Sequence, residues 1–266
     1  MNRFSVNDEL VWQWNNDGYL IVEDFFDQEE IDLLSKISKA DQKLARESRN
    51  VPDLKGGLSK ISLRNDLRDD IYSAIVRCRR VVDTMEALLC GEVYHYHHKM
   101  TIKEPFVAGA WEWHQDYGYW YNNGCLFPYM GSCMVAVDRA TRDNGCMQVI
   151  KGSHLMGRIQ HGSVAGQTGA DMERVNHALE RLELVHCELA PGTALFFHCN
   201  TLHYSGPNQS PNPRWAFIAC YNAARNNPYK ESGHPRYSPL EKLPDEAVLE
   251  VGQRQWQQIE KEMAVV

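Results

Sequence analysis

Apolar and polar residues alternate with two different periods along this chain, and the change falls near residue 92. Before it the spacing is helical. Residues 8–45 read as helix, short extended piece and helix. The apolar run GYLIVEDFF spans Gly18 to Phe26, and Ile31, Leu34 and Ile37 then form a stripe behind Asp27, a candidate N-cap. The polar stretch from Ala40 to Lys60 carries Pro52 and the Gly56-Gly57 pair with little periodicity, which predicts a loop placed to cover a site. Helical spacing returns from Asp69 to Cys90.

From Glu92 onward the texture changes to short β-rich runs: VYHYHHKMTIKEP, VAGAWEWHQD, GSCMVAVDRA, CMQVIKG, ELVHCELA, TALFFHCN and RWAFIACYNA. Turn signals such as Asp143-Asn144-Gly145 and Pro191-Gly192 separate them, so an antiparallel sandwich or barrel is expected. An excursion over residues 157–183 has a helical second half and the length of an active-site lid. After Asn226 the chain is Pro-rich, and DEAVLEVGQRQWQQIEKEM closes it as an amphipathic helix. The expected architecture is mainly β with flanking helices. It forms one domain over 1–266: a helical part (1–90), a β core (91–225, with the 157–183 insertion) and a C-terminal loop and helix (226–266).

Composition narrows the function classes. A chain of 266 residues is long enough for one large β-rich domain, and a formal net charge of −7 argues against a nucleic-acid or anionic-membrane surface, a local run such as Arg77, Arg79 and Arg80 notwithstanding. No apolar run approaches the roughly 20 residues a membrane helix requires. The eight cysteines are scattered without a Cys-x-x-Cys pair, and the opening MNRFSVNDELVW does not read as a secretory leader. Reduced thiols in a cytoplasmic monomer or homodimer are the expectation.

The stretch WEWHQDYGYW, Trp111 to Trp120, gathers coordinating groups where a sheet would bury hydrocarbon. In a strand, residues i and i+2 share a face, so His114 and Asp116 would point together into a dry interior, as a metal site or an ion pair. Far downstream, PGTALFFHCNTLHYSGPNQSPNPRWAFIACY supplies His198, His203, Ser205 and Arg214. Two histidines and one carboxylate on one face of a metal is the arrangement of non-haem Fe(II) oxygenases. Arg214 opens a strand in which it shares a face with Ala216, Ile218 and Cys220, so its guanidinium heads into apolar surroundings and needs an anion. The planar fork of arginine suits a carboxylate, and Ser205 would add a hydroxyl.

The H-x-D of His114 and Asp116, with a distal His203 followed at +2 by Ser205 and at +11 by Arg214, resembles the phytanoyl-CoA dioxygenase superfamily. GYLIVEDFFDQEEID, DNGCMQVIKGSH and PGTALFFHCNTLHYSGPN are similar to its opening segment, hairpin and distal-His strand, with Lys151 departing from the proline common before Gly-Ser-His. The resemblance implies a double-stranded β-helix (a cupin-like jelly roll) with Fe(II), 2-oxoglutarate and O2. His114, Asp116 and His203 would be metal ligands, and Arg214 with Ser205 would hold the far carboxylate of 2-oxoglutarate. Within the superfamily the ectoine hydroxylase-like branch is most similar. Laying KMTIKEPFVAGAWEWHQDYGYW along that branch places Thr101 against 2-oxoglutarate and His97 and Trp120 against the substrate. His97 and Thr101 replace that branch's amides, which argues against ectoine itself.

The implied reaction is hydroxylation of an unactivated C–H bond in a small polar, anionic or zwitterionic molecule, with succinate and CO2 as co-products. Tyr117 and Arg158 join the candidate substrate residues. A fatty acyl-CoA hydroxylase of the same mechanism is the alternative. A metal-dependent hydrolase would leave Arg214 without a role, and a non-catalytic cupin-like binding protein would normally have lost a ligand. The cluster HYHH, His95 to His98, is read as ordinary strand residues, because His97 faces away from His98 and no carboxylate or thiolate completes a second metal set.

Overall fold

Local capping decides where the first helices begin and end. In the computed structural model, which describes residues 4–106 and 109–264, α1 (Asp8–Asp17) starts at Asn7, whose side chain accepts from the Leu10 N–H at 2.9 Å. It stops at Gly18, whose φ of +78° is the left-handed turn a helix C-terminus favours. β1 (Tyr19–Val22) follows, then α2 (Gln28–Ala40), where the Glu30 carboxylate reaches back to the Asp27 N–H at 2.8 Å.

Two expectations for this part need correction. The polar stretch after Ala40 is not a loop: it forms α3 (Gln42–Glu47) and a hairpin of β2 (Arg49–Pro52) and β3 (Leu58–Arg64). Arg49, Val51, Ile61 and Leu63 of this hairpin face a cavity, and apolar alternation is too weak to signal strands because Ser59, Ser62 and Arg64 are buried polar positions in β3. The helical stretch after Asp69 breaks into α4 (Ile71–Arg77) and α5 (Arg79–Leu88). Cys78 between them is extended because the backbone on either side bonds Leu243: the Arg79 N–H donates to its carbonyl at 3.0 Å and its N–H donates to Arg77 O at 2.8 Å.

The β core comprises β4 (Val93–Lys103), β5 (Trp111–His114), β6 (Met130–Ala136), β7 (Met147–Ile150), β10 (Leu184–Cys187), β11 (Ala194–His198), β12 (His203–Ser205) and β13 (Arg214–Ala223). A short helical turn, α6 (Tyr117–Trp120), follows β5. The 157–183 excursion contains a hairpin of β8 (His161–Val164) and β9 (Gln167–Ala170), then α7 (Met172–Arg181). α8 (Ala247–Met263) packs on α2 and α4. Val107 and Ala108, the start of one predicted strand, lie outside the described residues.

Strands order as β1-β11-β6-β13-β4-β3-β2 in a seven-stranded sheet and β10-β7-β12-β5 in a four-stranded one. Every pairing is antiparallel. Met134, Leu195, Phe197 and Ile218 of the larger sheet pack with Met147, Val149 and Cys187 of the smaller, so the two sheets close face to face as a jelly roll. The outer face of the larger sheet, through Met100, Ile102, Phe196 and Phe217, packs on the helices. Both faces of β4 are therefore covered, and all its residues are buried.

One irregularity shapes the interior. Cys220 pairs with His97 but Tyr221 pairs with His95, so Tyr96 is an extra residue in β4, a β-bulge. Tyr96 consequently packs inward with the inter-sheet cluster, beside His97, where strict alternation would have sent it outward with His98.

Candidate functional site

β5 and β12 are neighbours in the smaller sheet, and their register sets His203 directly across from His114. The two imidazoles have centroids 4.1 Å apart. Each ring meets a backbone carbonyl through Nδ1: His114 at Glu112 O, 2.6 Å, and His203 at Thr201 O, 2.9 Å. A carbonyl only accepts, so Nδ1 carries the proton and each Nε2 offers a lone pair. Burial, reinforced by the facing ring, pushes the His114 pKa down to about 3, and burial lowers that of His203. Both rings are neutral at pH 7.

The carboxylate arrives differently from the sequence expectation. β5 ends at His114, and Asp116 takes helical dihedrals at the head of α6. Its side chain still turns back: Asp116 Oδ1 is 3.9 Å from His114 Nε2, and one ligand atom from each of His114, Asp116 and His203 lies within 4.8 Å of the others. Asp116 is fully buried, and burial opposes its charge, but the Lys99 ammonium, with the Tyr119 hydroxyl bond behind it, outweighs that and holds it well below the usual carboxylate range. Lys99 Nζ stands 3.7 Å from Oδ1, the Tyr119 hydroxyl donates to Oδ1 at 2.8 Å, and Ser132 Oγ donates to Oδ2 at 3.3 Å. Two neutral imidazoles with fixed tautomers and one ionised carboxylate converging on a point fit a divalent transition metal.

The cluster opens onto a cavity of about 330 Å³ between the sheets, which Gly166, Gln167 and Thr168 of the β8–β9 hairpin overhang. At its far end stands Arg214, 3% exposed, with its Nη2 donating to Ser205 Oγ at 3.0 Å and its Nε without any partner. Ser205 Oγ in turn donates to Gly145 O at 3.0 Å, which orients its lone pairs toward the guanidinium. Burial lowers the Arg214 pKa to about 10, so a charge without a carboxylate partner sits in a dry place. The cavity therefore fits a ligand that brings an anion to Arg214 and two further oxygen donors to the metal position.

Of the remaining sequence-stated residues, His97 and Thr101 line the cavity, and Thr101 Oγ1 donates to Ala216 O at 3.3 Å. Trp120, Tyr117 and Arg158 do not. The strand does not continue to Trp120; the turn at α6 rotates its indole into the core, fully buried against Tyr96 and His97, and brings Tyr119 to the cavity instead. The buried Tyr117 donates its hydroxyl to Cys125 O at 2.9 Å, and Arg158 stacks over Tyr121 while donating to Gly118 O at 3.1 Å. Lys99, Arg49 and His234 also line the cavity and were not among the residues expected from the sequence, whereas Tyr119, evenly balanced there between core and pocket, does line it. Lys99 had a signal, since it shares the inward face of β4 with His97 and Thr101. His234 had none, being carried in by an irregular segment after β13.

The chain is similar to known proteins over most of its length. The profile of the phytanoyl-CoA dioxygenase (PhyH) family matches residues 14–216. The L-proline trans-4-hydroxylase of Streptomyces griseoviridis is 28% identical over 224 residues, covering 77% of this chain and 82% of that one. The ectoine dioxygenase of Bordetella bronchiseptica is 26% identical over 251 residues, covering 86% and 80%. Among solved structures, the apo form of EctD from S. alaskensis superposes with a TM-score of 0.77 at 24% identity, over 92% of this chain and 89% of that one, and shares the fold.

Proposed function

The chain belongs to the phytanoyl-CoA dioxygenase family, and on that footing we propose that His114, Asp116 and His203 hold one Fe(II) while Arg214 and Ser205 receive the far carboxylate of 2-oxoglutarate. The protein is an Fe(II)- and 2-oxoglutarate-dependent dioxygenase acting on a small molecule. Iron, 2-oxoglutarate and O2 together supply the oxidant for a C–H bond, leaving succinate and CO2. The chain's own residues do the positioning. The Glu112 and Thr201 carbonyls fix the imidazole tautomers, Tyr119, Ser132 and Lys99 hold Asp116 ionised, and Thr101 lines the path between the metal position and Arg214. The surrounding aromatic and thioether side chains keep the cavity dry.

A single observation carries this reading over a metal hydrolase: the buried, carboxylate-free guanidinium of Arg214 at the end of the cavity that holds the three donors. A hydrolase using the same donors has no use for it. The cavity, near the lower end of the roughly 300–1,000 Å³ usual for ligand sites, must serve 2-oxoglutarate and prime substrate together, which favours a small polar or anionic substrate over a fatty acyl chain. A seven-stranded sheet running from β1 to β13 supports one domain for the whole chain. Eight cysteines, none in a disulfide, support a reducing compartment such as the cytoplasm, and no helix among the described residues is long and apolar enough to cross a membrane.

The test is to add 2-oxoglutarate to the anaerobic Fe(II) protein and look for a visible chelate absorption, then admit O2 and measure succinate. Both signals are expected. Iron binding without either signal would reject the reading and return the hydrolase to consideration.

A further inference from the structure

The floor of the cavity is the β4–β13 pair, and its register orders the site. Arg214 pairs with Lys103 at one end and Cys220 with His97 at the other, about 20 Å apart at roughly 3.3 Å per residue. Lys99, which reaches Asp116, pairs with Ile218 between them. The donor cluster thus divides the cavity into a long arm toward Arg214 and a short arm that ends about 7 Å beyond Lys99, at His97. 2-Oxoglutarate takes the long arm under the reading above, on which this inference rests.

The short arm ends in unmet polar groups. His97 is 1% exposed, and neither of its ring nitrogens has a hydrogen-bond partner. A second imidazole closes over it: His234 has its ring 5.3 Å from that of His97 and stacks on the bulge residue Tyr96 at 4.9 Å, with its Nδ1 also buried and unpartnered. Both rings line the cavity. Burial lowers both pKa values, so each neutral ring offers one N–H and one lone pair. Buried polar atoms without partners are costly, and two converging on one arm mark a place where a ligand completes the hydrogen bonds. Among the described residues the only group of three or more side chains that could hold a metal is the one already described, so this pair is not a second metal site.

Charge selects the ligand. Among the described residues no carboxylate other than Asp116 of the donor cluster, which Lys99 already meets, stands at the cavity, whereas Arg49, Lys99 and Arg214 line it. With iron, Lys99 and Arg214 positive, and Asp116 and both carboxylates of 2-oxoglutarate negative, the interior retains one positive charge, and Arg49 at the exposed rim adds another. An ammonium group in the short arm would meet Lys99, with Asp116 already committed to Lys99 and the metal position. We propose that His97 and His234 form the head-group site of the prime substrate, and that this head is a single oxyanion such as a carboxylate on a small molecule without a cationic amine. The C–H bond attacked would lie within a few bonds of that head, because the arm is short.

Three ring compounds of one size test this: cyclopentanecarboxylate, its uncharged carboxamide, and L-proline, which keeps the carboxylate and adds an ammonium. Each is titrated into the full-length protein loaded anaerobically with Fe(II) and 2-oxoglutarate, following perturbation of the chelate absorption, and succinate release is then measured in air. Absence of the chelate absorption itself would count against the dioxygenase reading, separately from this one. Cyclopentanecarboxylate should bind about tenfold or more tighter than either companion and raise succinate release above the substrate-free rate. His97→Phe and His234→Ala should each weaken cyclopentanecarboxylate binding about tenfold and narrow its lead over the carboxamide, while the lead over proline, which Lys99 sets, and the affinity for 2-oxoglutarate stay unchanged. His234→Ala, on an irregular segment, keeps the test alive if His97→Phe does not fold. Equal or tighter binding of proline or the carboxamide, no binding of the carboxylate, or undiminished affinity for the carboxylate in His234→Ala overturns the proposal.

Discussion

The Tyr119 hydroxyl donates at 2.8 Å to Oδ1 of Asp116, whose side chain is fully buried. Burial first, and then the carboxylate beside it, raises the Tyr119 pKa well above that of a free phenol, so the proton stays on the tyrosine and the bond stays a donor to the ligand. Groups that orient a metal ligand typically contribute about 10- to 100-fold in metal affinity. Tyr119→Phe should therefore weaken Co(II) or Fe(II) binding by about tenfold while leaving the melting temperature near that of the parent, since the ring itself is kept. Unchanged metal affinity by titration would show that Ser132 and Lys99 suffice to hold Asp116.

Arg214 leads to an unusual pairing of effects. Its charge is desolvated with only Ser205 Oγ at hydrogen-bond distance, so in the ligand-free protein it opposes folding. Arg214→Met should match or raise the melting temperature of the ligand-free protein. The same change removes hydrogen bonds to a charged group worth about 1.5 to 3 kcal/mol each, so 2-oxoglutarate should bind at least about tenfold more weakly and its stabilising effect should shrink. Scanning fluorimetry with and without 2-oxoglutarate reads both. A variant that melts lower yet keeps the full 2-oxoglutarate shift would place the arginine in the scaffold rather than the site.

Several histidines away from the donor cluster make the fold sensitive to acid. His95 and His98, on the outward face of β4, share a hydrogen bond at 3.0 Å, and His198 packs between Trp14 and His154. Burial lowers the His95 pKa to about 4 and that of His198 to about 3, and lowers that of His98 as well. Such rings are neutral in the folded chain but take up protons near pH 6.5 when unfolded. Their contribution is complete above that value and is lost as pH falls toward 4, at about 1.4 kcal/mol per pH unit for each group. The melting temperature should be level from pH 8 to 7 and fall steeply between 6.5 and 5. His98→Met should flatten the slope. A level profile across the window would mean that these rings take up protons as readily in the folded chain as in the unfolded one.

Much of this was legible because the chemistry is concentrated in short strands. The H-x-D pair, the distal His203 and the Ser205 and Arg214 spacings are local patterns, and antiparallel register brings them to one cavity. The illegible parts depend on contacts distant in sequence. The β2–β3 hairpin carries little apolar alternation because β3 buries the polar Ser59, Ser62 and Arg64, and Cys78 breaks a helical pattern only because Leu243 takes up the flanking backbone bonds. The bulge at Tyr96 reverses which residue faces inward, and nothing in HYHH announces it. His234 reaches the site from an irregular segment whose path is set by tertiary packing alone.

Trp120 separates the two ways of reading the aromatic run. Had β5 continued past Asp116, the indole would have faced the metal position as a wall of the substrate pocket. The helical turn buries it instead, edge-on to Tyr96 at 5.3 Å and to His97 at 5.4 Å, with no exposed surface. Its work is to support the ring of His97 and the bulge from behind. Trp120→Ala should leave a large cavity and cost about 3 to 5 kcal/mol, within the range for burying and then deleting such a side chain. Trp120→Phe should recover most of that, because the indole N–H has no partner to lose. Urea unfolding of the two variants gives the comparison. If Trp120→Ala unfolds at the parent's midpoint while 2-oxoglutarate consumption runs ahead of product, the indole belongs to the substrate pocket after all.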